Sequence, residues 1–316
     1  MLTSKSKQKE IVYANHLWKV WSDFRYRIGE IIKIVSDNCG QLSGKALILG
    51  AGYGNDVPIE ILEELFEEVL LVDIDEESLV HFIKKTSCPE KFKTMSLDLT
   101  GFYNPNINLN DMSNKEILEY IRNIVPSSEL SRIEGSFDFI MNCNYTTQLI
   151  SYFSNRNVRG SVEYTRAINE LSNRTMNDIF VNIERLLKPG GILLHSTDLF
   201  ELSFDKKTGA ESIARKILLP ATDYNLDNLY KVIDEYFPLL QEKGCTIMGS
   251  IPPKESLLLF NEFKSFFIPW KYDSSDRYEV TYVAYIKAWK SKKNDDSQNA
   301  IKEKKHSFFS RIFRKK

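Results

Sequence analysis

The chain is poor in the residues that several functional classes require. It has four cysteines, Cys39, Cys88, Cys143 and Cys245, far apart and without a CxxC pair. That excludes a disulfide frame and a cysteine zinc site, and reads as isolated reduced thiols in a cytoplasmic protein. The four histidines, His16, His81, His195 and His306, show no metal-ligand spacing, so no metal is expected. No apolar run approaches the roughly 20 residues that cross a bilayer. The N-terminal stretch MLTSKSKQKEIVYANHLW has no apolar segment of the kind a signal peptide carries. There is no internal repeat. Net positive charge is confined to the end: residues 302–316, KEKKHSFFSRIFRKK, carry +6, leaving −7 on the other 301 residues. An acidic body lacks the basic footprint of nucleic-acid binding, so no nucleic-acid partner is expected.

What is present is a foldable length of 316 residues, 42% hydrophobic and 27% charged, enough for one large domain or two small ones. Residues 8–38 place Leu17, Trp21, Phe24, Ile28, Ile31, Ile32 and Val35 near a 3.6-residue period and predict a helix. Strands then alternate with helices. ALILGAG is a strand, VPIEILEELFEE a helix, EVLLVDID (68–75) a strand and EESLVHFIKK a helix. Further strands are expected at 92–101, 136–145 and 191–200. RLLKPGG stops a helix and turns the chain before the last of these. FKSFFIPWKYD and RYEVTYVAYIKAWK flank SSD and predict an antiparallel hairpin. The alternation predicts an α/β fold, a doubly wound and mostly parallel sheet, with ligands beyond the carboxyl ends of its strands.

The glycines of LILGAGYGNDVPIEIL, Gly50, Gly52 and Gly54, fall where the first strand becomes the following helix. Glycine permits positive φ and removes the Cβ that would collide with a ligand. Dinucleotide enzymes share the signal, but their GxGxxG pattern expects a glycine where Asn55 stands. Asp73 ends the second strand, where a carboxylate can accept both hydroxyls of a ribose; that alone does not choose the cofactor. Asp98, at the end of the third strand in SLDL, is placed to take the exocyclic amino proton of an adenine.

LILGAGYGND, VLLVDID, SLDLTG, FDFIMNCNY and RLLKPGGILLHSTD, in this order and spacing, resemble the class I S-adenosylmethionine-dependent methyltransferases over roughly residues 45–290. The terminal hairpin fits, because that family closes its sheet with an antiparallel seventh strand. The resemblance implies S-adenosyl-L-methionine as cofactor. It sets Gly50, Ala51, Gly52 and Gly54 against the methionine part, Asp73 and Ile74 at the ribose, and Leu97, Asp98 and Leu99 at the adenine. Asn142 and Cys143 would lie beside the sulfonium. NCNY departs from the NPPY or DPPY motif of enzymes that methylate amino groups of bases or glutamine. The acceptor is expected over the ends of the fourth and fifth strands, near Asn144, Tyr145, Thr197 and Asp198.

Asp198 is the candidate general base; the alternative is a cap or loop hydrogen bond. Tyr145 either positions an acceptor or caps the sheet. His195, mid-strand in ILLHSTD, reads as a core histidine. Trp18, Trp21, Trp270 and Trp289 read as core. Glu163, Tyr164 and Arg166, after RNVRGS, read as a solvated helix start rather than a lid.

The organisation expected is a helical N-terminal cap (1–44), a methyltransferase domain (45–290) with inserts at about 102–135, 146–188 and 201–262, and a linker with a basic tail (291–316). In the tail, Phe308, Phe309, Ile312 and Phe313 would share one helical face ringed by Lys305, Arg311, Arg314 and Lys315, which suits an anionic membrane surface. A solubilising tail or a docking peptide is the alternative. The function expected is methyl transfer to an unidentified acceptor: small molecule, lipid head group, sugar or peptide. A non-catalytic cofactor-binding adapter and an NAD-type oxidoreductase are the alternatives.

Overall fold

The segment KALIL forms β1 (Lys45–Leu49), buried at four of its five positions, because a strand flanked by neighbours and covered on both faces must be apolar throughout. It lies at the middle of the sheet in a computed structural model that describes residues 4–40, 42–102, 107–150, 153, 161–222, 226–247 and 249–293. The other strands are β2 (Glu68–Asp73), β3 (Phe92–Ser96), β4 (Phe137–Cys143), β5 (Leu187–Asp205), β6 (Phe260–Ser274) and β7 (Tyr278–Ser291). Their order is β3-β2-β1-β4-β5-β7-β6. The first five are parallel, and β7 runs antiparallel between β5 and β6. Strand order reverses between β1 and β4, and that switch point opens a crevice at their carboxyl ends.

Helices cover both faces. On one side α2 (Ser22–Cys39), α3 (Ile59–Leu65) and α4 (Glu76–Ile83) set Ile28, Ile32, Val35, Leu62 and Phe82 against Ile48, Leu71, Met141 and Leu194. On the other, α6 (Val162–Leu186) sets Ile179, Phe180 and Ile183 against Leu47, Leu49, Ile140 and Leu193. Full burial of each such side chain contributes roughly 1.5–3 kcal/mol. α5 (Asn114–Asn123) begins with a capping box between Ser113 and Glu116 and packs Ile117 and Ile121 with Phe153, Tyr164 and Ile168.

Three expectations shift. The helix expected over 8–38 is two, α1 (Ser4–Val20) and α2, parted at Trp21 with φ −91° and ψ 13°. The indole Nε1 of Trp21 donates to the backbone oxygen of Tyr272 on β6 at 2.9 Å, a tie that fixes the bend. The third strand ends at Ser96, not near Gly101, because the Asp98 carboxylate accepts both the backbone N–H (2.8 Å) and the hydroxyl (2.7 Å) of Thr100 and closes a turn. The fifth strand runs on to Asp205, paired with β7 along its length. Residues 206–257 then supply α7 (Ile213–Thr222), α8 (Leu226–Glu242) and the short α9 (Lys254–Leu257). Leu218, Ile233 and Leu240 build a separate core with Phe200, Leu202 and Phe267 on the extended sheet.

Most of RNVRGS, the end of the linker and the whole basic tail lie outside the described residues. Among the described residues no helix is long and apolar enough to cross a membrane, and no group of three His, Cys, Asp or Glu could hold a metal ion.

Candidate functional site

After Leu49 the chain turns through Gly50, Gly52 and Gly54, with φ of +67°, +48° and +71°. At Gly52 a Cβ would face open space, its nearest neighbour being Asp73 Oδ2 at 3.8 Å. At Gly54 it would meet the Phe82 ring at 2.5 Å. Gly52 therefore leaves room for a ligand, whereas Gly54 lets helix α4 approach. Asp73 ends β2 beside this loop. Its Oδ2 accepts the Gly52 N–H at 2.9 Å and its Oδ1 the Asp75 N–H at 3.0 Å. Burial pushes the Asp73 carboxyl above its ordinary value, and those two N–H groups pull the other way.

The loop is held from behind by two cations and one ring. Arg25 on α2 donates to the Asn55 backbone oxygen at 2.8 Å. Lys85 donates to the Tyr53 backbone oxygen at 2.7 Å and to Asn55 Oδ1 at 3.1 Å. Trp18 on α1 has the Arg25 guanidinium 3.5 Å and the Lys85 ammonium 4.3 Å from its ring centroid. Burial, with Arg25 beside it, brings Lys85 down to about 8.

β4 contributes its end. Asn144 has φ +35°, a conformation asparagine tolerates. Its Nδ2 donates to Asp56 Oδ2 at 2.9 Å, and its Oδ1 accepts the Ser196 hydroxyl at 2.6 Å. One side chain thus ties the glycine loop to β4 and β5. Burial pushes the Asp56 carboxyl up, opposed by the Asn144 hydrogen bond.

Two cavities flank Asp73. The larger, about 330 Å³, is lined by the loop from Gly50 to Asp56, by Asp73 and Asp75, by Cys143, Asn144 and Tyr145, by Glu10 and Trp21 of the N-terminal helices, and by Trp270 and Tyr272 of β6. The smaller, about 290 Å³, is a slot between Ile74, Leu97, Asp98, Leu99, Thr100 and Leu149. Gly50, Asp73, Tyr145 and Gln148 line both. The Tyr145 ring packs where Gly50 would carry a Cβ. Its hydroxyl is buried with no partner among the described residues.

The expected cofactor residues Gly50, Ala51, Gly52, Gly54, Asp73, Ile74, Leu97, Asp98, Leu99 and Cys143 thus come together around these cavities, as does Tyr145. Asn142 does not. It is fully buried, with neither amide atom partnered among the described residues, and stands opposite His195 in the β4–β5 register on the α6 side, because alternation along β4 turns it away from the face of Cys143. Asp198 lines neither cavity: half-buried, it accepts the Thr147 hydroxyl at 2.8 Å, the loop hydrogen bond that was the alternative to a base. Burial raises its pKa. His195 is a core residue between Phe180 and Trp289, and burial pushes it down to about 3. Tyr164 is buried and donates to the Phe153 backbone oxygen at 2.6 Å, while Glu163 and Arg166 are exposed on the first turns of α6. Trp21 and Trp270, expected only in the core, are also cavity wall. The sequence reading missed Glu10, Asp56 and Tyr272; the acid after GYGN was the available signal for Asp56.

The strand order, with an antiparallel β7 beside β5 and a glycine loop and carboxylate at the carboxyl ends of β1 and β2, is the fold of the class I methyltransferases. No model of a known family matches the chain, and no curated protein matches it. Among solved structures it is similar to the N-methyltransferase NodS from Bradyrhizobium japonicum, at 11% identity, covering 86% of this chain and 98% of that one with a TM-score of 0.39. An S-adenosylmethionine-dependent methyltransferase from Clostridium acetobutylicum is 15% identical, over 90% of this chain and 79% of that one, with a TM-score of 0.33. Another from Methanosarcina mazei is 13% identical, over 81% and 96%, with a TM-score of 0.38. Likeness at this level assigns no residue a role.

Proposed function

We propose that the chain is an S-adenosylmethionine-dependent methyltransferase. The observation that carries this reading is Asp73, a carboxylate anchored by two backbone N–H groups and shared by an apolar slot and a glycine-lined cavity. That arrangement fits a nucleoside with an amino-acid arm. The slot of Leu97, Leu99, Ile74 and Leu149 would take the adenine, with Asp98 at its edge, and Asp73 the ribose hydroxyls. The open face at Gly52 would admit the arm, beside Cys143 and Tyr145.

When bound, the cofactor supplies a methyl group on a sulfonium, whose departure leaves a neutral thioether. The chain's residues then have to align the acceptor and exclude water. Trp21, Trp270 and Tyr272 close the cavity from the side of β6 and the N-terminal helices. Asp56, held by Asn144, is the lining carboxylate placed to receive an acceptor's proton.

Titration calorimetry with S-adenosylhomocysteine tests the reading: binding by the parent chain and its loss in Asp73→Ala are expected. Absence of binding, or equal binding by the variant, removes the cofactor assignment. Transfer of labelled methyl to separated metabolite, lipid and protein fractions then tests turnover.

A further inference from the structure

The larger cavity is acidic and aromatic. Glu10, Asp56, Asp73 and Asp75 line it, Trp21, Trp270 and Tyr272 form its wall, and no Lys, Arg or His is among its lining residues. The two cations behind the glycine loop are committed elsewhere: Arg25 and Lys85 hold the loop carbonyls and flank Trp18. Two of the four carboxylates serve the loop itself, Asp73 through Gly52 and Asp75 as the cap of α4. Glu10 remains, as does Asp56 beyond the hydrogen bond it accepts from Asn144.

Building on the methyltransferase reading, we propose that the acceptor is a cationic amine, held by Glu10 and Asp56 against Trp21, Trp270 and Tyr272. Carboxylates at a partly desolvated cavity attract a cation and repel an anion. Aromatic faces add attraction for an ammonium group. A phosphate or carboxylate acceptor would call for Arg or Lys donors, and none is among the described residues that line this cavity. The exchange balances: one proton first leaves the ammonium for Asp56 and then water, the lone pair so freed forms the N–C bond, and the C–S bond breaks with its pair kept by sulfur.

The test uses the full chain saturated with S-adenosylhomocysteine, which lacks the sulfonium charge, so that cofactor and acceptor contributions separate. Benzylamine, benzyl alcohol and benzoate, matched in size, are titrated near neutral pH and read by tryptophan fluorescence and calorimetry. Benzylamine is expected to bind about tenfold or more tightly than the other two. Glu10→Gln, on an exposed helix position, and Asp56→Asn are each expected to weaken it about threefold or more. Benzoate or benzyl alcohol binding as tightly as benzylamine, no benzylamine binding, or indifference to both substitutions would overturn the proposal. Failure of S-adenosylhomocysteine to bind is a separate result, which removes the cofactor reading. Benzylamine titrated into the free protein then decides the amine proposal by the same criteria.

Discussion

The Asp73 carboxylate accepts the backbone N–H of Gly52 at 2.9 Å, so the residue that faces both cavities also fixes the loop between them. Hydrogen bonds to a charged group are worth about 1.5–3 kcal/mol. Asp73→Asn is therefore expected to weaken S-adenosylhomocysteine binding by at least about tenfold. Calorimetry checks this, and an unchanged dissociation constant would place the ribose elsewhere.

Gly52 and Gly54 separate binding from folding. An alanine at either pays about 1–2 kcal/mol for a left-handed backbone. At Gly54 it also meets Phe82 at 2.5 Å, which adds about 1–3 kcal/mol of overpacking. Thermal denaturation should show Gly54→Ala as the less stable variant. Gly52→Ala should stay folded yet lose cofactor binding, since its methyl group occupies the ligand's space.

Trp18 sits between Arg25 and Lys85, and each contact contributes about 0.5–2 kcal/mol according to its desolvation. Trp18→Leu is expected to lower the unfolding free energy by about 1–2 kcal/mol and to weaken cofactor binding as the loop loosens. Trp18→Phe should retain most of both. Equal behaviour of Leu and Phe in urea denaturation would count against the ring's role.

His195 sets an acid limit. The unfolded chain takes up a proton near 6.5 that the folded chain refuses until about 3, because burial opposes the charge. This contribution is fully present above 6.5 and is lost as pH falls through that window, at about 1.4 kcal/mol per pH unit. Comparing urea denaturation of the parent and His195→Leu near neutral pH and near pH 5 isolates the effect. The parent should lose about 2 kcal/mol more than the variant.

The basic sequence of residues 302–316, which lie outside the described residues, raises the expectation of binding to an anionic surface, and deletion tests it. Deleting residues 302–316 is expected to abolish co-sedimentation with anionic vesicles, and raised salt should weaken it in the full chain. Undiminished sedimentation of the truncated protein would assign the tail another role.

The glycine loop and Asp73 were legible because a short local pattern encodes them: apolar strand, three glycines, a second apolar strand, one acid. Asn142 was not. FDFIMNCNY is buried on both faces, so no polar alternation marks which residues look toward the crevice. For Asp198 the sequence left a base and a loop hydrogen bond both open, and the structure shows the hydrogen bond from Thr147 beside a register shift between Asp198 and Phe200. The wall of Trp21, Trp270 and Tyr272 is a tertiary product. Aromatic residues that far apart in sequence read as core until strand pairing sets them at a cavity's edge.

Trp21 and Tyr272, joined across 251 positions, also bear on biosynthesis. The cavity is closed by segments near both ends of the described chain, so a nascent polypeptide has the glycine loop long before it has a chamber. β6 and β7 must leave the ribosome and pair with β5 before the wall exists. A chain that stops short of Phe260 would carry Asp73, its loop and the Leu97–Leu99 slot without the aromatic wall of the larger cavity.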